Sequence, residues 1–264
     1  MSVVTGHQAI VAPDGRTVSS GVDLLVGMPL YSRLFCDVYQ HEEIALMQQE
    51  THHGANYNVL GNIDYKTGPD IATNRNTLVS WARQRKAKYL LMIDSDITLI
   101  PKTAAVDLLW HMQKGRQVVG GLYHGKTMPF WPRAGNFNCT TGLPECLGDI
   151  TPDKGGTDIH VDWVGAGFIM IDMKVFDLID HCEESFMYYG AMNRMPYFHE
   201  VFLTDPATGI VHKLKEYLGF CLKLRQLGVN VYVDTKVQLS HRDIAQYGTP
   251  HYLAIQEQKA AVSA

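Results

Sequence analysis

A chain of 264 residues, 46% of them hydrophobic, can bury one large core, and a formal charge of −4 from 23 basic and 27 acidic side chains gives no global drive toward nucleic acid or an acidic membrane. The five cysteines (Cys36, Cys139, Cys146, Cys182 and Cys221) form no C-x-x-C pair, which argues against zinc and disulfide frameworks and for a reducing compartment. Met1 to Ser20 has no basic patch followed by an apolar core and no stretch approaches eighteen apolar residues, so the reading is an unsecreted, cytoplasmic protein with no membrane span.

Residues 1–20 read as a loose arm or a short edge hairpin. Val22 to Pro29 is a first buried strand stopped by its proline, and Ser32 caps a helix over Arg33 to Glu50. Tyr57 to Asp64 is a weaker strand, followed by a turn at Gly68-Pro69-Asp70 and a helix over Ile71 to Gln84. Lys88 to Ile97 carries the most apolar strand. A helix over Lys102 to Lys114 closes at Gly115, and Gln117 to Tyr123 is a fourth strand. This alternation predicts an α/β domain with a mostly parallel central sheet flanked by helices. From 124 to 158 the pattern dissolves into Gly, Pro, Asn and Thr, a segment too long for a plain connection. Order returns as a strand over His160 to Ile171, then a helix from Lys174. An irregular stretch runs from Ser185 to His212, and a helix over Lys215 to Leu227 stops at Gly228. Short strands at Asn230 to Asp234 and Val237 to His241 precede a C-terminal helix or tail over 249–264. No repeat or linker divides the chain.

The organising stretch is Tyr89-Leu90-Leu91-Met92-Ile93-Asp94-Ser95-Asp96. A buried strand cannot hold an unpaired charge, so Asp94 and Asp96 belong at or beyond its C-terminal end, where open α/β sheets bind ligands. Residues i and i+2 of an extended segment point the same way, so both carboxylates can reach one hard cation. The competing reading makes Asp96 an N-cap for the helix near Pro101.

Four pieces in order carry a resemblance: Pro69 to Asn76; Leu90 to Ile97 with its Asp-Ser-Asp; Val161 to Ile171 with Gly165-x-Gly167; and Lys215 to Cys221 running into Val231 to Asp234 and His241. Over roughly residues 20–245 the chain resembles single-domain, nucleotide-sugar-dependent glycosyltransferases of the GT-A type, close to the family 2-like group of bacteria and viruses. The resemblance implies one GT-A domain over 21–248 that moves a sugar from a nucleoside diphosphate sugar, a UDP-sugar being favoured, to an acceptor hydroxyl with inversion. It implies Mn2+ or Mg2+ held by Asp94 and Asp96 with His241 as a third ligand, Asp94 also touching the ribose. Asp64 stands against the base or ribose and Arg75 beside the nucleotide. Pro29 and Tyr31 join the donor-binding residues, and Trp163, Gly165 and Gly167 the donor sugar or acceptor. Each has a plainer alternative: a turn aspartate for Asp64, an Arg75–Asp94 pair serving structure, a strand bulge at the glycines. Tyr123, Lys126 and Trp131 open the irregular segment, where an aromatic can stack on a sugar or simply pin the loop.

The family places Glu-Asp before its Phe-Cys helix, and one of these acids takes the acceptor proton. Here the residues are Glu216 and Tyr217, so Glu216 is the first candidate base, and the alternatives are Asp205, Glu200 and a mechanism with no carboxylate base. Two other functions compete. A nucleotidyltransferase would carry a Gly-rich basic loop where this chain has Gly27-Met28-Pro29-Leu30-Tyr31-Ser32-Arg33, and a non-catalytic nucleotide-sugar binder would explain Tyr217. The acceptor is unassigned: a glycan or a modified DNA base fits a compact phage or viral enzyme acting in the host cytoplasm.

Overall fold

A computed structural model of the protein describes residues 10–11, 17–18, 24–29, 57–59, 70–98, 100–126, 129–148, 158–182, 196–242 and 246–247. The expected helices over 33–50 and 249–264, and the candidates Tyr31 and Asp64, lie outside them. In the N-terminal arm, β1 (Ile10–Val11) pairs antiparallel with β2 (Thr17–Val18).

The strands β3 (Leu24–Gly27), β4 (Tyr57–Val59), β5 (Tyr89–Ile93), β7 (Val118–Leu122), β10 (Asp158–Val161), β12 (Phe168–Asp172) and β15 (Val231–Gln238) form one sheet in the order β10-β15-β7-β12-β5-β3-β4. The helices are α1 (Ile71–Gln84), α2 (Ala104–Gln113), α3 (Met173–Cys182) and α4 (Glu216–Gln226). The α/β architecture expected from the alternation is present. Strand β5 shows why: all five of its side chains are buried, and they alternate between two cores. Leu90 and Met92 join Leu78 of α1, Phe176 of α3 and Phe220 of α4, whereas Leu91 and Ile93 join Ala105, Leu108 and Leu109 of α2. Each fully buried aliphatic side chain is worth about 1.5–3 kcal/mol, so layers on both faces fix this strand as the centre of the molecule.

The sheet is mostly parallel, as expected, and the exceptions are β12, which runs antiparallel to both β5 and β7, and β10, which runs antiparallel to β15. The other five strands share one direction. The cause is the irregular excursion after β7. Among the described residues it contains no crossover helix, and the chain re-enters the sheet antiparallel to β7. It holds instead the small sheet β11-β8-β9, built from β8 (Ala134–Phe137), β9 (Pro144–Cys146) and β11 (Trp163–Val164). The single strand expected over His160 to Ile171 is therefore three: β10, β11 and β12. The second irregular stretch holds a hairpin of β13 (Val201–Thr204) and β14 (Val211–Leu214).

Two boundaries position the site. Asp70 caps α1, its Oδ1 accepting the Thr73 amide at 2.8 Å, where the Gly68-Pro69-Asp70 turn predicts. Helix α2 starts at Ala104 with Thr103 in the N-cap position, so Asp96 caps nothing there. Between them the chain runs through β6 (Ile97–Thr98), which pairs with β16 (Ser240–Arg242), and β16 pairs with β17 (Gln246–Tyr247). The strands expected at 230–234 and 237–241 are in fact one long β15, irregular between Asp234 and Gln238, followed by β16.

Candidate functional site

The turn leaving β5 is tied on both sides. The Asp94 amide donates to the Gly167 carbonyl at 2.8 Å, and the Ile97 amide to the Asp94 carbonyl at 3.0 Å. Asp94 and Asp96 thus stand at the C-terminal edge of the sheet, on the wall of a cavity of about 670 Å³. A cavity of that size suits a ligand as large as a nucleotide sugar.

Arg75, on α1 and 3% exposed, is the hub of this wall. Its Nη2 donates to Asp94 Oδ1 and Oδ2 at 2.8 and 3.0 Å, its Nη1 to the Ala166 carbonyl at 2.9 Å and its Nε to Glu216 Oε1 at 3.3 Å. Burial works against the guanidinium charge, but Asp94 and Glu216 more than offset it and hold its pKa above the usual value. Burial pushes Asp94 up to about 6; Arg75 opposes that shift and the neighbouring Asp96 adds to it. Asn76, the next residue, does a separate job. Its side chain donates to the Phe198 carbonyl at 2.8 Å and accepts the Phe198 amide at 3.0 Å, fixing the bend that leads to Glu200.

Asp96 and His241 come together through β6 and β16, whose register sets His241 opposite Ile97. His241 Nδ1 donates to the His124 carbonyl at 2.5 Å, which leaves Nε2 as the lone-pair nitrogen. Burial lowers the His241 pKa to about 4, with Asp96 pulling the other way, so the ring is neutral near pH 7. Lys126 Nζ holds Asp96 Oδ2 at 2.5 Å. Asp96 Oδ1 is buried and has no hydrogen-bond partner among the described residues.

These facts test the expected metal. Among the described residues no group of three or more His, Cys, Asp or Glu side chains is arranged to hold an ion. Asp94, expected as a ligand, has both oxygens engaged by Arg75. Asp96 and His241 retain unspent donors, a buried carboxylate oxygen and a neutral imidazole nitrogen whose ring is oriented by a carbonyl, as metal-binding histidines are. Hard divalent ions bound with phosphate substrates commonly use one or two protein ligands, so this pair fits Mn2+ or Mg2+.

The remaining candidates divide. Pro29, Glu200, Glu216 and Tyr217 line the cavity with Arg75, Asp94, Asp96 and His241. Asp205 does not. It sits in the β13–β14 turn, where its carboxylate accepts the Ala207 amide at 2.9 Å and the Thr208 hydroxyl at 2.8 Å. Those bonds, the Ala207 amide first, hold its pKa below the usual range; it is a turn residue. Trp163 is buried and spends its Nε1 on the Asn136 carbonyl at 3.2 Å, pinning β11 to β8 away from the cavity lining.

Gly165 and Gly167 do not line the cavity either, although Ala166 between them does. They make room for Tyr123, whose hydroxyl accepts the Gly167 amide at 2.8 Å and whose ring lies edge-on to His241 at 4.7 Å. A Cβ at Gly165 would lie 2.1 Å from the Tyr123 hydroxyl. Gly165→Ala is therefore expected to cost about 1–3 kcal/mol by overpacking. Thermal unfolding measures it, and an unchanged melting temperature would remove this account of the motif.

Three cavity cations, Lys126, Arg133 and Lys215, have no site role legible in the sequence. A single cation in an aperiodic loop gives no spacing signal. The pairing that reveals Arg133 is three-dimensional: its amide donates to the Tyr123 carbonyl at 2.8 Å and its carbonyl accepts the Gly165 amide at 2.6 Å.

No protein-family model matches the chain, and comparison with curated proteins finds no match. Among solved structures the chain is similar to A197 from STIV (14% identity, TM-score 0.46, covering 84% of this chain and 86% of that one). It is similar also to a Drosophila β-1,4-galactosyltransferase 7 mutant in complex with manganese, UDP-Gal and xylobiose (14% identity, TM-score 0.45, covering 84% and 71%). A third is CMP:2-keto-3-deoxy-manno-octonic acid synthetase complexed with CTP (11% identity, TM-score 0.38, covering 93% and 100%).

Proposed function

We propose that the protein is a glycosyltransferase that moves a sugar from a nucleoside diphosphate sugar, a UDP-sugar being favoured, to an acceptor hydroxyl. The observation that carries this reading is the Arg75 hub. One guanidinium holds Asp94 and Glu216 together on the wall of a cavity that Asp96 and His241 also line. An end suited to a diphosphate and a divalent ion thus shares one enclosure with an acid that can serve an acceptor.

Asp96 and His241 are the residues that would hold Mn2+ or Mg2+. When bound, such an ion neutralises charge gathering on the leaving diphosphate. Asp94, immobilised by Arg75, turns its remaining lone pairs to the donor ribose. Glu216 accepts the proton of the acceptor hydroxyl as that oxygen bonds to the anomeric carbon and the carbon–diphosphate bond breaks. Attack from the side opposite the leaving group gives inversion. Tyr217, where the family has Asp, has its pKa raised by burial and is a wall rather than a base.

The test is a thermal-shift panel of UDP, GDP, CDP, dTDP, their sugars and the nucleoside triphosphates, each with and without Mn2+. A ligand bound only by the folded state at a hundred times its dissociation constant adds about 2.7 kcal/mol. Stabilisation by one diphosphate and its sugar, enhanced by Mn2+, is expected, with the Mn2+ enhancement lost in Asp96→Ala. Selective stabilisation by a triphosphate would point to nucleotidyl transfer instead, and a flat panel on well-folded protein would end the transferase reading.

A further inference from the structure

We infer that Arg133 is the residue on which a diphosphate is anchored in this cavity, so that the site retains affinity for the diphosphate when no divalent ion is present. The inference rests on the nucleotide-sugar reading for the identity of the ligand, but its geometry stands on Arg133 itself.

The cations of the cavity wall differ in what they hold. Arg75 is fully engaged by Asp94, Ala166 and Glu216, Lys126 is paired with Asp96, and Lys215 is an exposed side chain at the N-cap of α4. Among the described residues Arg133 makes no ion pair with a carboxylate and no side-chain hydrogen bond. Yet it is a held side chain. Its backbone is paired at both polar groups, with the Tyr123 carbonyl at 2.8 Å and the Gly165 amide at 2.6 Å. Its head group lies over Gly125, where a Cβ would come 3.0 Å from Nη2, and its own Cβ passes Gly165 at the same 3.0 Å. Both neighbours are glycines, and a side chain at either would crowd the arginine.

A cation whose backbone is fixed, whose path is cleared and whose charge is unspent faces the same space as Asp96 and His241. Arg133 is partly exposed, so its charge is open to an anion that enters the cavity. A planar fork of five donors suits phosphate oxygens, which it can bind in pairs. Its neighbour Tyr217, pushed up by burial and drawn back by Arg133, places that charge at the Glu216 end of the cavity as well. A diphosphate seated between Arg133 and the Asp96–His241 pair therefore has positive charge on one side whether or not an ion occupies the other.

The test measures binding by calorimetry in EDTA and again in Mn2+, on wild type, Arg133→Gln and Arg133→Lys. The probes are inorganic pyrophosphate, the nucleoside diphosphate selected by the panel, and its phosphate-free nucleoside. Wild type is expected to bind both phosphorylated probes in EDTA. Arg133→Gln should weaken both by roughly ten- to a hundred-fold, the worth of a lost charge-assisted bond pair, and leave the nucleoside unchanged. Arg133→Lys, which keeps the charge and the stem, should recover part of the loss and guards against a variant that merely folds poorly. Unaltered binding in Arg133→Gln, or no binding of pyrophosphate and diphosphate by wild type in EDTA, overturns the inference. Arg133-dependent pyrophosphate binding without any nucleotide binding would uphold the anion site and overturn the nucleotide-sugar reading, so the two failures are told apart.

Discussion

Arg75→Met is expected to cost about 3–5 kcal/mol of folding stability, because it strands two carboxylates that were desolvated around one cation. Asp94 and Glu216 would keep their places, just past β5 and on α4, while losing the guanidinium that bonds both, and the Ala166 carbonyl would lose its donor. Urea unfolding reads the loss directly. Arg75→Lys should restore only part of it, since an ammonium cannot reproduce a fork that reaches Asp94 with two bonds and Ala166 and Glu216 with one each. Neutralising the partners as well, in Arg75→Met with Asp94→Asn and Glu216→Gln, should return much of the stability, because the penalty lies in uncompensated buried charge. If Arg75→Met alone unfolds at the wild-type urea concentration, Arg75 is not the hub its geometry describes.

Glu216→Gln is expected to lower the transfer rate by about 10²- to 10⁴-fold while leaving donor binding intact. The amide oxygen can still accept from Arg75 Nε, so the wall of the cavity should keep its shape, and only the proton acceptor is removed. Transfer kinetics with the donor found by the panel, alongside the thermal shift given by that donor, separate the two effects. Glu200→Gln is the control: this carboxylate also lines the cavity, but it is half-exposed and pairs with Lys213 at 2.7 Å. Full activity in Glu216→Gln together with a silent Glu200→Gln would move the search for the base elsewhere.

What the sequence disclosed and what it hid follow from range. Asp70 before Ile71, and Asp94 and Asp96 after an unbroken apolar run, are local statements, and the structure has the cap and the strand end in those positions. The rival for Asp96, a helix cap, was also local; it fails because β6 and Thr103 stand between Asp96 and α2. Strand direction is not local. The apolar run of β12 reads the same whichever way it enters the sheet, so its antiparallel placement was invisible. The role of Gly165-x-Gly167 was hidden for the same reason: the ring that fills their space belongs to Tyr123, on another strand's exit. Asp205 looked like Glu200 in the sequence, an acid in the irregular stretch before α4, and the bonds it receives within its own turn tell them apart.

The placement of β12 also orders events in time. Ile93 pairs with Phe168 and Tyr89 with Asp172, while Val118 of β7 pairs with Ile171 and Val231. As the chain is synthesised from its N-terminus, β3, β4 and β5 can assemble early, but the far edge of β5 has no strand to meet until residue 172 has emerged. Strand β7 waits longer still, since its outer neighbour β15 ends at Gln238. Long-range pairings of this kind form slowly, and an apolar strand with an open edge is a template for pairing with other chains. The nascent protein is thus most vulnerable to aggregation while the edge of its most hydrophobic strand stands uncovered, before β12 slides in beside it.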